Sequence, residues 1–225
     1  MKETEKEFDA VIKICRELYV KKLNDYGAAW RILRPESVAD QIFIKANRIR
    51  TLEIKKESKI DEGIRSELIG IVNYGIIGLI QLALGFSEAC DLTIDEAIAM
   101  YDKYMEQTRT LMLAKNHDYD EAWRGMRPSS YTDLILMKLY RTKQIEDNGN
   151  VTLVSEGVDA NYMDMINYSM FGLIKKIFFG ECGSDSELQE RRLALERIKE
   201  VARAIECDVA VVRAREERLR LEREE

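Results

Sequence analysis

Apolar side chains recur every three or four residues over the first part of the chain, which is the spacing of one face of an α-helix. Thr4 and Glu7, at the start of this run, have the spacing of a capping box. The pattern predicts a first helix from about residue 5 to residue 23. Its inner face would be formed by Phe8, Val11, Ile12, Cys15, Leu18, Tyr19 and Leu23.

The same spacing predicts five more helices, and the whole chain of 225 residues contains only two prolines. A second capping box, Thr93 with Glu96, opens the fourth helix. Ser37 is the predicted cap of the second helix, and Ser130 or Thr132 that of the fifth. We therefore predict an all-α protein. The five further helices are expected at about 38–55, 61–84, 93–114, 130–143 and 156–177.

The segments between the helices contain an internal repeat. The residues at 25–35 read DYGAAWRILRP, and those at 118–128, 93 residues later, read DYDEAWRGMRP. Matches continue through the following helix at the same spacing and through the third helix at a spacing of 94. Both tryptophans and both prolines of the chain occupy equivalent positions, so chance is a poor explanation.

Two tandem three-helix repeats are expected to form one pseudo-twofold helical bundle over residues 1–179, with repeat one at 1–87 and repeat two at 88–179. Turn-forming residues at 180–186 predict a linker. At 187–225, apolar residues fall on the a and d positions of a heptad within a highly charged segment. This charged coiled-coil-like helix predicts either a homodimer with a second copy of the chain or packing against the bundle.

The acidic composition narrows the classes of partner. A net charge of −6 and a pI near 5.2 argue against duplex nucleic acid, whose phosphates are neutralised by lysine and arginine. Four scattered cysteines without a Cys-x-x-Cys pair indicate reduced thiols, and the charged N-terminal segment does not read as a signal peptide, so we expect a cytoplasmic protein. Polar residues interrupt the apolar stretch 68–86, which favours a buried core helix over a membrane span.

Carboxylates on the two third helices are the candidates for catalysis. Glu67 has Asn161 as its counterpart in repeat two, and Asp164, one turn later, has Gly70 as its counterpart in repeat one. If the third helices cross at the pseudo-twofold axis, Glu67 and Asp164 would form one Mg²⁺ site, since this cation prefers carboxylate oxygens. The alternative is ordinary salt-bridged or solvated acids. Further metal ligands would come from Glu62, Glu156 and Asp159.

Each second helix carries a lysine and an arginine three residues apart. They are Lys45 and Arg48 in repeat one, and Lys138 and Arg141 in repeat two. Side chains at this spacing share one helix face, where arginine can offer a bidentate fork and lysine a point charge to phosphate oxygens. They could equally pair with the acids of the third helix, and the sequence leaves both interpretations open.

The repeated loop places aromatic and charged side chains in a connection between helices, where ligand contacts are common. The aromatic rings could stack on a base, while the aspartate and arginine could bind that base or its phosphates. The alternative is that the rings fill the connection as a hydrophobic plug and the aspartate caps it. The residues are Asp25, Tyr26, Trp30 and Arg31 in repeat one, and Asp118, Tyr119, Trp123 and Arg124 in repeat two.

Taken together, these residues resemble the family called nucleotide modification associated domain 1. The resemblance covers roughly residues 5–177, as two tandem copies, and it implies an association with modified nucleotides and with DNA modification systems. The residues that carry it are Lys115 to Tyr119, Ala122 to Arg124, Asp133, Lys138, Arg141, Glu156, Asp159, Asp164, Asn167 and Tyr168, with Asp25 to Gly27, Trp30, Asp40, Lys45, Arg48, Glu62, Asn73 and Tyr74 in repeat one.

The third helix is also similar to that of MazG-like all-α nucleoside triphosphate pyrophosphohydrolases, whose Glu-x-x-Glu and Glu-x-x-Asp helices bind Mg²⁺. Here Lys45 and Arg48 stand where that family has acids, and neither repeat has a complete Glu-x-x-Asp. One hypothesis is a nucleotide-handling protein, a Mg²⁺-dependent pyrophosphohydrolase whose partner is a nucleotide or other phosphorylated small molecule. The alternative is a non-catalytic nucleotide-binding or scaffold protein that oligomerises through its C-terminal helix.

Overall fold

The computed structural model describes residues 3–55, 63–154 and 156–179. This part of the chain forms six α-helices and contains no β-strand. Short 3₁₀ helices occupy the repeated loops at Ala29–Ile32 and Ala122–Gly125, and a π-helical turn at Lys175–Phe179 continues the last α-helix. The α-helices are α1 Glu3–Tyr26, α2 Pro35–Lys55, α3 Ile64–Leu84, α4 Ile94–Tyr119, α5 Pro128–Asp147 and α6 Val158–Ile174.

The predicted all-α class and the two three-helix repeats are confirmed, while several helix starts were predicted wrongly. Helix α1 already includes Glu3, so Thr4 is not an N-cap; its buried hydroxyl instead contacts Glu121 and Arg124 of repeat two. The α2 and α5 helices begin at their prolines, because a fixed φ suits proline to the first helical position. Ser37, Ser130 and Thr132 therefore lie inside the helices.

The capping box at Thr93 is confirmed. Its hydroxyl accepts a hydrogen bond from the backbone N–H of Glu96 at 3.2 Å, and the Glu96 carboxylate accepts one from the Thr93 N–H at 2.9 Å. The two bonds satisfy donors that every helix start leaves open. This fixes the first residue of repeat two's first helix.

Helices α3 and α6 pack against each other in antiparallel orientation at the centre of the bundle. A Cβ atom at Gly75 would lie 2.5 Å from the Ile166 side chain, and one at Gly78 would lie 2.5 Å from the Tyr162 ring. At the other end of the contact, Gly172 faces Leu68. The absence of a side chain at these glycines therefore lets the two helices approach closely.

Pairs of salt bridges that repeat across the bundle reveal the pseudo-twofold relation. Each bridge joins a helix of one repeat to the equivalent helix of the other, and its counterpart involves residues exactly one repeat spacing away. The pairs are Arg16–Asp102 with Arg109–Asp9, at 2.7 and 2.6 Å, and Arg50–Asp133 with Lys143–Asp40, both at 2.6 Å. Since the bridges cross between repeats, the repeated sequence also encodes how the two copies pack on each other.

Helix α3 is long and apolar enough to cross a membrane, but most of its apolar window is buried inside the bundle. Ile71, Val72, Ile76 and Ile80 are fully buried there. A core helix of this kind passes the same test of length and composition as a membrane span. The predicted linker at 180–186 and charged helix at 187–225 lie outside the described residues.

Candidate functional site

Glu67 lies buried on α3 and is held by two cations of its own repeat. Its Oε2 lies 3.4 Å from Lys45 Nζ, and its Oε1 accepts a hydrogen bond from Arg48 Nη1. The Glu67 side chain is 6% exposed, whereas those of Lys45 and Arg48 are 25% and 24% exposed. In repeat one, the lysine and arginine of the second helix therefore pair with the acid of the third helix, one of the two interpretations that the sequence left open.

Asp164 is held in the same way in repeat two, although by a different set of cations. Its Oδ1 accepts a hydrogen bond from Lys115 Nζ at 2.5 Å, and its Oδ2 lies 2.6 Å from Lys138 Nζ. Burial lowers the pKa of Lys115, but the hydrogen bond and charge of Asp164 outweigh it, so the pKa lies above its ordinary value. This buried carboxylate is thus paired with two lysines.

The two repeats supply the acid that faces the equivalent lysine from positions one helical turn apart. Lys45 and Lys138 correspond to each other, but the carboxylate comes from Glu67 in repeat one and from Asp164 in repeat two. Gly70 stands where Asp164 would be, and the Lys45 side chain lies over it, 2.7 Å from the position of a Cβ atom. A lysine in each second helix is thus neutralised by an acid from either of two turns.

The predicted composite Mg²⁺ site does not form among the described residues. In the antiparallel contact Glu67 lies beside Leu68, which meets Gly172, so roughly 14 Å of α6 separate its level from Asp164. No group of three or more His, Cys, Asp and Glu side chains in the described ranges could hold a metal ion. Glu156 and Asp159 are exposed, and Glu62 lies outside the described residues. The donor set described here therefore does not fit Mg²⁺.

Arg141 has no equivalent of Glu67, the acid that pairs with its counterpart Arg48. The position of Glu67 is taken by Asn161 in repeat two, and within the described residues Arg141 makes neither an ion pair nor a hydrogen bond. It lies beside Tyr140 in a shallow surface depression on α5. The four predicted cations thus have different environments, and three of them are bound to buried carboxylates.

A cavity of about 510 Å³ opens in repeat one between α1, the loop, α2 and α3. Its aromatic lining comes from Tyr19, Tyr26, Trp30 and Tyr74, of which Tyr26 is 56% exposed and Trp30 is buried. Its charged lining comes from Lys22, Lys45 and Glu67, and Gly70 forms part of the same wall. Four of the predicted site residues, Tyr26, Trp30, Lys45 and Glu67, therefore meet at one cavity.

Repeat two fills the equivalent space with its own side chain. Phe171 stacks on Trp123 with the ring centroids 4.5 Å apart and an angle of 8° between the planes. The counterpart of Phe171 in repeat one is Ile77, which lines the cavity. Trp123 Nε1 also donates a hydrogen bond to Asn116, whereas Trp30 Nε1 has no partner among the described residues. A smaller side chain at one position thus leaves repeat one open.

The predicted loop arginines stabilise the structure. Arg31 is 2% exposed and donates hydrogen bonds to Asp91, Gln81 and the Gly85 carbonyl oxygen. Arg124 donates hydrogen bonds to Glu7 at 2.7 Å and to Glu121 at 2.6 Å. Because these guanidinium groups already face acids and carbonyl groups, the predicted role in binding a base or phosphate is not supported.

The remaining loop residues lie at the surface. Asp25 is exposed at the end of α1, and Asp118 faces His117 with a 3.1 Å contact between exposed side chains. Tyr119 is 70% exposed, unlike the buried Trp123 beside it. The tryptophans alone act as the predicted plug, and neither aspartate caps the loop.

Sequence reasoning missed Lys22 and Ile77, which line the cavity. Both could have been found by comparing the repeats, since Lys22 matches Lys115 and Ile77 matches Phe171 at the spacings already established. Because phenylalanine is larger than isoleucine, the pair Ile77 and Phe171 indicates that side chains fill different volumes at this position in the two repeats. What the comparison lacks is the knowledge that this position faces the tryptophan.

Fold and site together define a tandemly duplicated all-α protein in which Phe171 stacks on the tryptophan of repeat two and repeat one holds a cavity beside its own tryptophan. The chain belongs to the nucleotide modification associated domain 1 family, whose model matches residues 22–82 and again residues 115–175. Comparison with curated proteins and with solved structures found no match. One matched range lies in each repeat, so the predicted family and duplication are confirmed.

Proposed function

We propose that the protein binds a nucleotide in the cavity of repeat one, with the base against the aromatic wall. The observation that carries this proposal is the contrast between the repeats: the space that Phe171 fills beside Trp123 is left open beside Trp30. Planar bases stack on aromatic side chains, and such contacts contribute about 1–3 kcal/mol for each base. A vacant ring position beside a tryptophan therefore suits a base.

The size and chemistry of the cavity support a ligand of this class. About 510 Å³ lies within the usual range of small-molecule sites, which are mostly apolar with a few polar groups. Lys45 Nζ lies 5.8 Å from the centre of the Tyr74 ring, so a cation and an aromatic wall are adjacent. Burial raises the pKa of the Tyr74 phenol above its ordinary value of 10, so this part of the wall stays uncharged even in mildly alkaline solution.

The proposal concerns binding and leaves out hydrolysis. A Mg²⁺-dependent pyrophosphohydrolase needs carboxylates free to hold the cation, whereas Glu67 and Asp164 each face two cations. The description of the family, which names nucleotide modification, supports a nucleotide as the class of ligand. The non-catalytic alternative from the sequence is therefore the better match.

The test uses the fact that the chain has only two tryptophans. In a Trp123→Phe background, Trp30 is the only indole, and its fluorescence reports on the cavity. The four ribonucleotides and four deoxyribonucleotides, each as the monophosphate and the triphosphate, are titrated with and without Mg²⁺. Pyrophosphate release is measured in the samples that contain triphosphates. We expect quenching by at least one nucleotide without pyrophosphate release.

The deciding variant is Ile77→Phe, which gives repeat one the ring that fills repeat two. It should reduce nucleotide affinity at least about tenfold, because the added ring occupies the space for the base. The matched control is Ile44→Phe, the same change at a residue that is 60% exposed and does not line the cavity. The proposal is wrong if no nucleotide quenches Trp30, or if Ile77→Phe binds as tightly as Ile44→Phe.

A further inference from the structure

Two lysines of repeat two bind a carboxylate, and the equivalent lysines of repeat one indicate an anion site. Lys115 Nζ lies 2.5 Å from Asp164 Oδ1, and Lys138 Nζ lies 2.6 Å from Asp164 Oδ2. Their counterparts are Lys22 and Lys45, and both line the cavity. Repeat one therefore has both of the lysines that bind the Asp164 carboxylate in repeat two. The carboxylate at that position is missing, because Gly70 is the counterpart of Asp164.

Gly70 is the reason that this position is vacant. It stands where Asp164 stands in repeat two, and it forms part of the wall of the cavity that Lys22 and Lys45 also line. Lys22 is exposed and makes no ion pair or hydrogen bond within the residues that the structure describes. Lys45 leans across Gly70 toward Glu67, but their 3.4 Å separation is long for a charged hydrogen bond. Lys22 is thus available to a new anion, and Lys45, whose ammonium group has three donors, can be shared between Glu67 and that anion.

We infer that Lys22 and Lys45 form an oxyanion site over Gly70, in which a phosphate of the bound nucleotide takes the place of the Asp164 carboxylate. This inference rests on the proposed function, and it adds the location of the phosphate and the residues that hold it. Phosphate and carboxylate oxygens are equivalent acceptors for a lysine ammonium group, and lysine binds both as a point charge. The cavity thus has an aromatic end and a cationic end.

The site assigns a class of ligand. Two lysines match the charge of one terminal phosphate, since a phosphate monoester carries about −1.5 to −2 at pH 7. The buried Glu67 is already paired with Arg48, so Lys22 and Lys45 are the cations of the cavity lining that can neutralise the ligand. A nucleoside monophosphate is therefore the ligand that the site favours over a nucleoside, which lacks the anion, and over a triphosphate.

Calorimetric titration of the full chain measures the contribution of the phosphate. The probes are the nucleoside, monophosphate and triphosphate of the base that quenches Trp30 most strongly, together with inorganic phosphate. The monophosphate should bind at least about tenfold more tightly than the nucleoside, as expected for a charged hydrogen bond. Inorganic phosphate should compete with the monophosphate and should leave nucleoside binding unchanged.

Two variants locate the anion. Lys22→Ala removes one cation, and Gly70→Asp supplies the carboxylate of repeat two, so both should reduce the advantage of the monophosphate to about threefold or less. Lys21→Ala is the matched control, because it removes the same charge from an exposed neighbour that does not line the cavity. Nucleoside affinity should be equal in the wild type, Lys22→Ala and Lys21→Ala, which shows that the cavity is intact.

The outcomes separate this inference from the proposed function. If nucleosides and nucleotides all fail to bind the wild type, the proposed function is wrong and this inference with it. If they bind but the monophosphate has no advantage over the nucleoside, or if Lys22→Ala and Gly70→Asp leave that advantage unchanged, the oxyanion site alone is refuted. An equal loss in Lys21→Ala would also refute it, since the effect would then be one of net charge.

Discussion

Repeat one has its buried acid at Glu67, where repeat two has Asn161. The substitution Glu67→Asn therefore gives repeat one the residue of repeat two and tests the role of this acid. The substitution removes the carboxylate that faces Lys45 and Arg48. These two cations lose their common partner, and the asparagine amide can satisfy only part of their hydrogen bonding. The protein should therefore be less stable.

The size of the loss follows from the exposure of the three side chains. Breaking a fully buried pair costs about 3–5 kcal/mol, and an exposed pair contributes about 0–1 kcal/mol. Glu67 is 6% exposed, but Lys45 and Arg48 are 25% and 24% exposed and can turn toward water. We expect a loss of about 2 kcal/mol in the free energy of unfolding, or roughly 4–8 °C in Tm for a chain of this size.

Gly70→Asp should partly rescue this loss, because it supplies the acid from the turn that repeat two uses. The new Cβ would lie 2.7 Å from Lys45 Cε, which is near the flexible end of that side chain and can move aside. Lys45 would regain a carboxylate, whereas the contact of Arg48 with Glu67 would not be restored. The double variant should recover about 1 kcal/mol of the 2 kcal/mol lost.

Urea unfolding followed by circular dichroism measures the four free energies of the double-mutant cycle. The reasoning is refuted if Glu67→Asn lies within about 0.5 kcal/mol of the wild type, since the buried pair would then contribute nothing. It is also refuted if the two substitutions are additive, because Gly70→Asp would then not replace the lost acid. A matched cycle at Asp9 and Arg109 provides a control, since that bridge lies elsewhere.

Two further predictions concern other parts of the bundle. Burial, then the nearby charges of Glu36 and Asp147, raises the pKa of Glu146 from 4.5 to about 7. The folded state therefore holds this proton more firmly than the unfolded state, and stability present below pH 4.5 is lost as the pH rises through 7. Because Glu146 is half-exposed, the free energy of unfolding should fall by roughly 1–2 kcal/mol between pH 5 and pH 8. Urea unfolding at the two pH values measures this difference, which Glu146→Gln should remove. An unchanged pH dependence in that variant would contradict the prediction. Phe171→Ile should open repeat two beside Trp123 and cost about 1–2 kcal/mol, less than a change to alanine. Equal unfolding midpoints would show that the stacked ring does not support the fold.

Much of the fold was predictable because it depends on local pattern. The apolar spacing of α1 and the capping box at Thr93 identify helices from residues that are neighbours in the chain. Comparison of the copies gave the duplication, since Trp30 and Trp123 are rare residues at equivalent positions. The errors at Thr4 and Ser37 arose because a hydroxyl near a helix start is only a local signal. Tertiary contacts with Glu121 and the fixed φ of Pro35 decided those positions.

The candidate site was predictable only in part. The sequence identified Trp30, Lys45 and Glu67, but it grouped Glu67 with Asp164, and that grouping depends on how α3 and α6 cross. An antiparallel crossing near Gly75 places the two acids at different levels of the bundle. Spacing along one helix gives the face of a side chain, whereas the level at which it meets another helix is set by packing of both surfaces.

The amino-acid sequence by itself determined six helices, their arrangement in two related copies and the residue types that repeat between them. Only the tertiary structure decided which copy is open, because the volume beside each tryptophan depends on a residue about 47 positions away, Ile77 or Phe171. It also decided which cations are neutralised, since α6 brings Asp164 to Lys115, whereas Lys22 faces the cavity with no ion pair within the described residues. The charge and the free volume at a site depend on side chains from helices that are distant in the chain, and only folding brings those helices together.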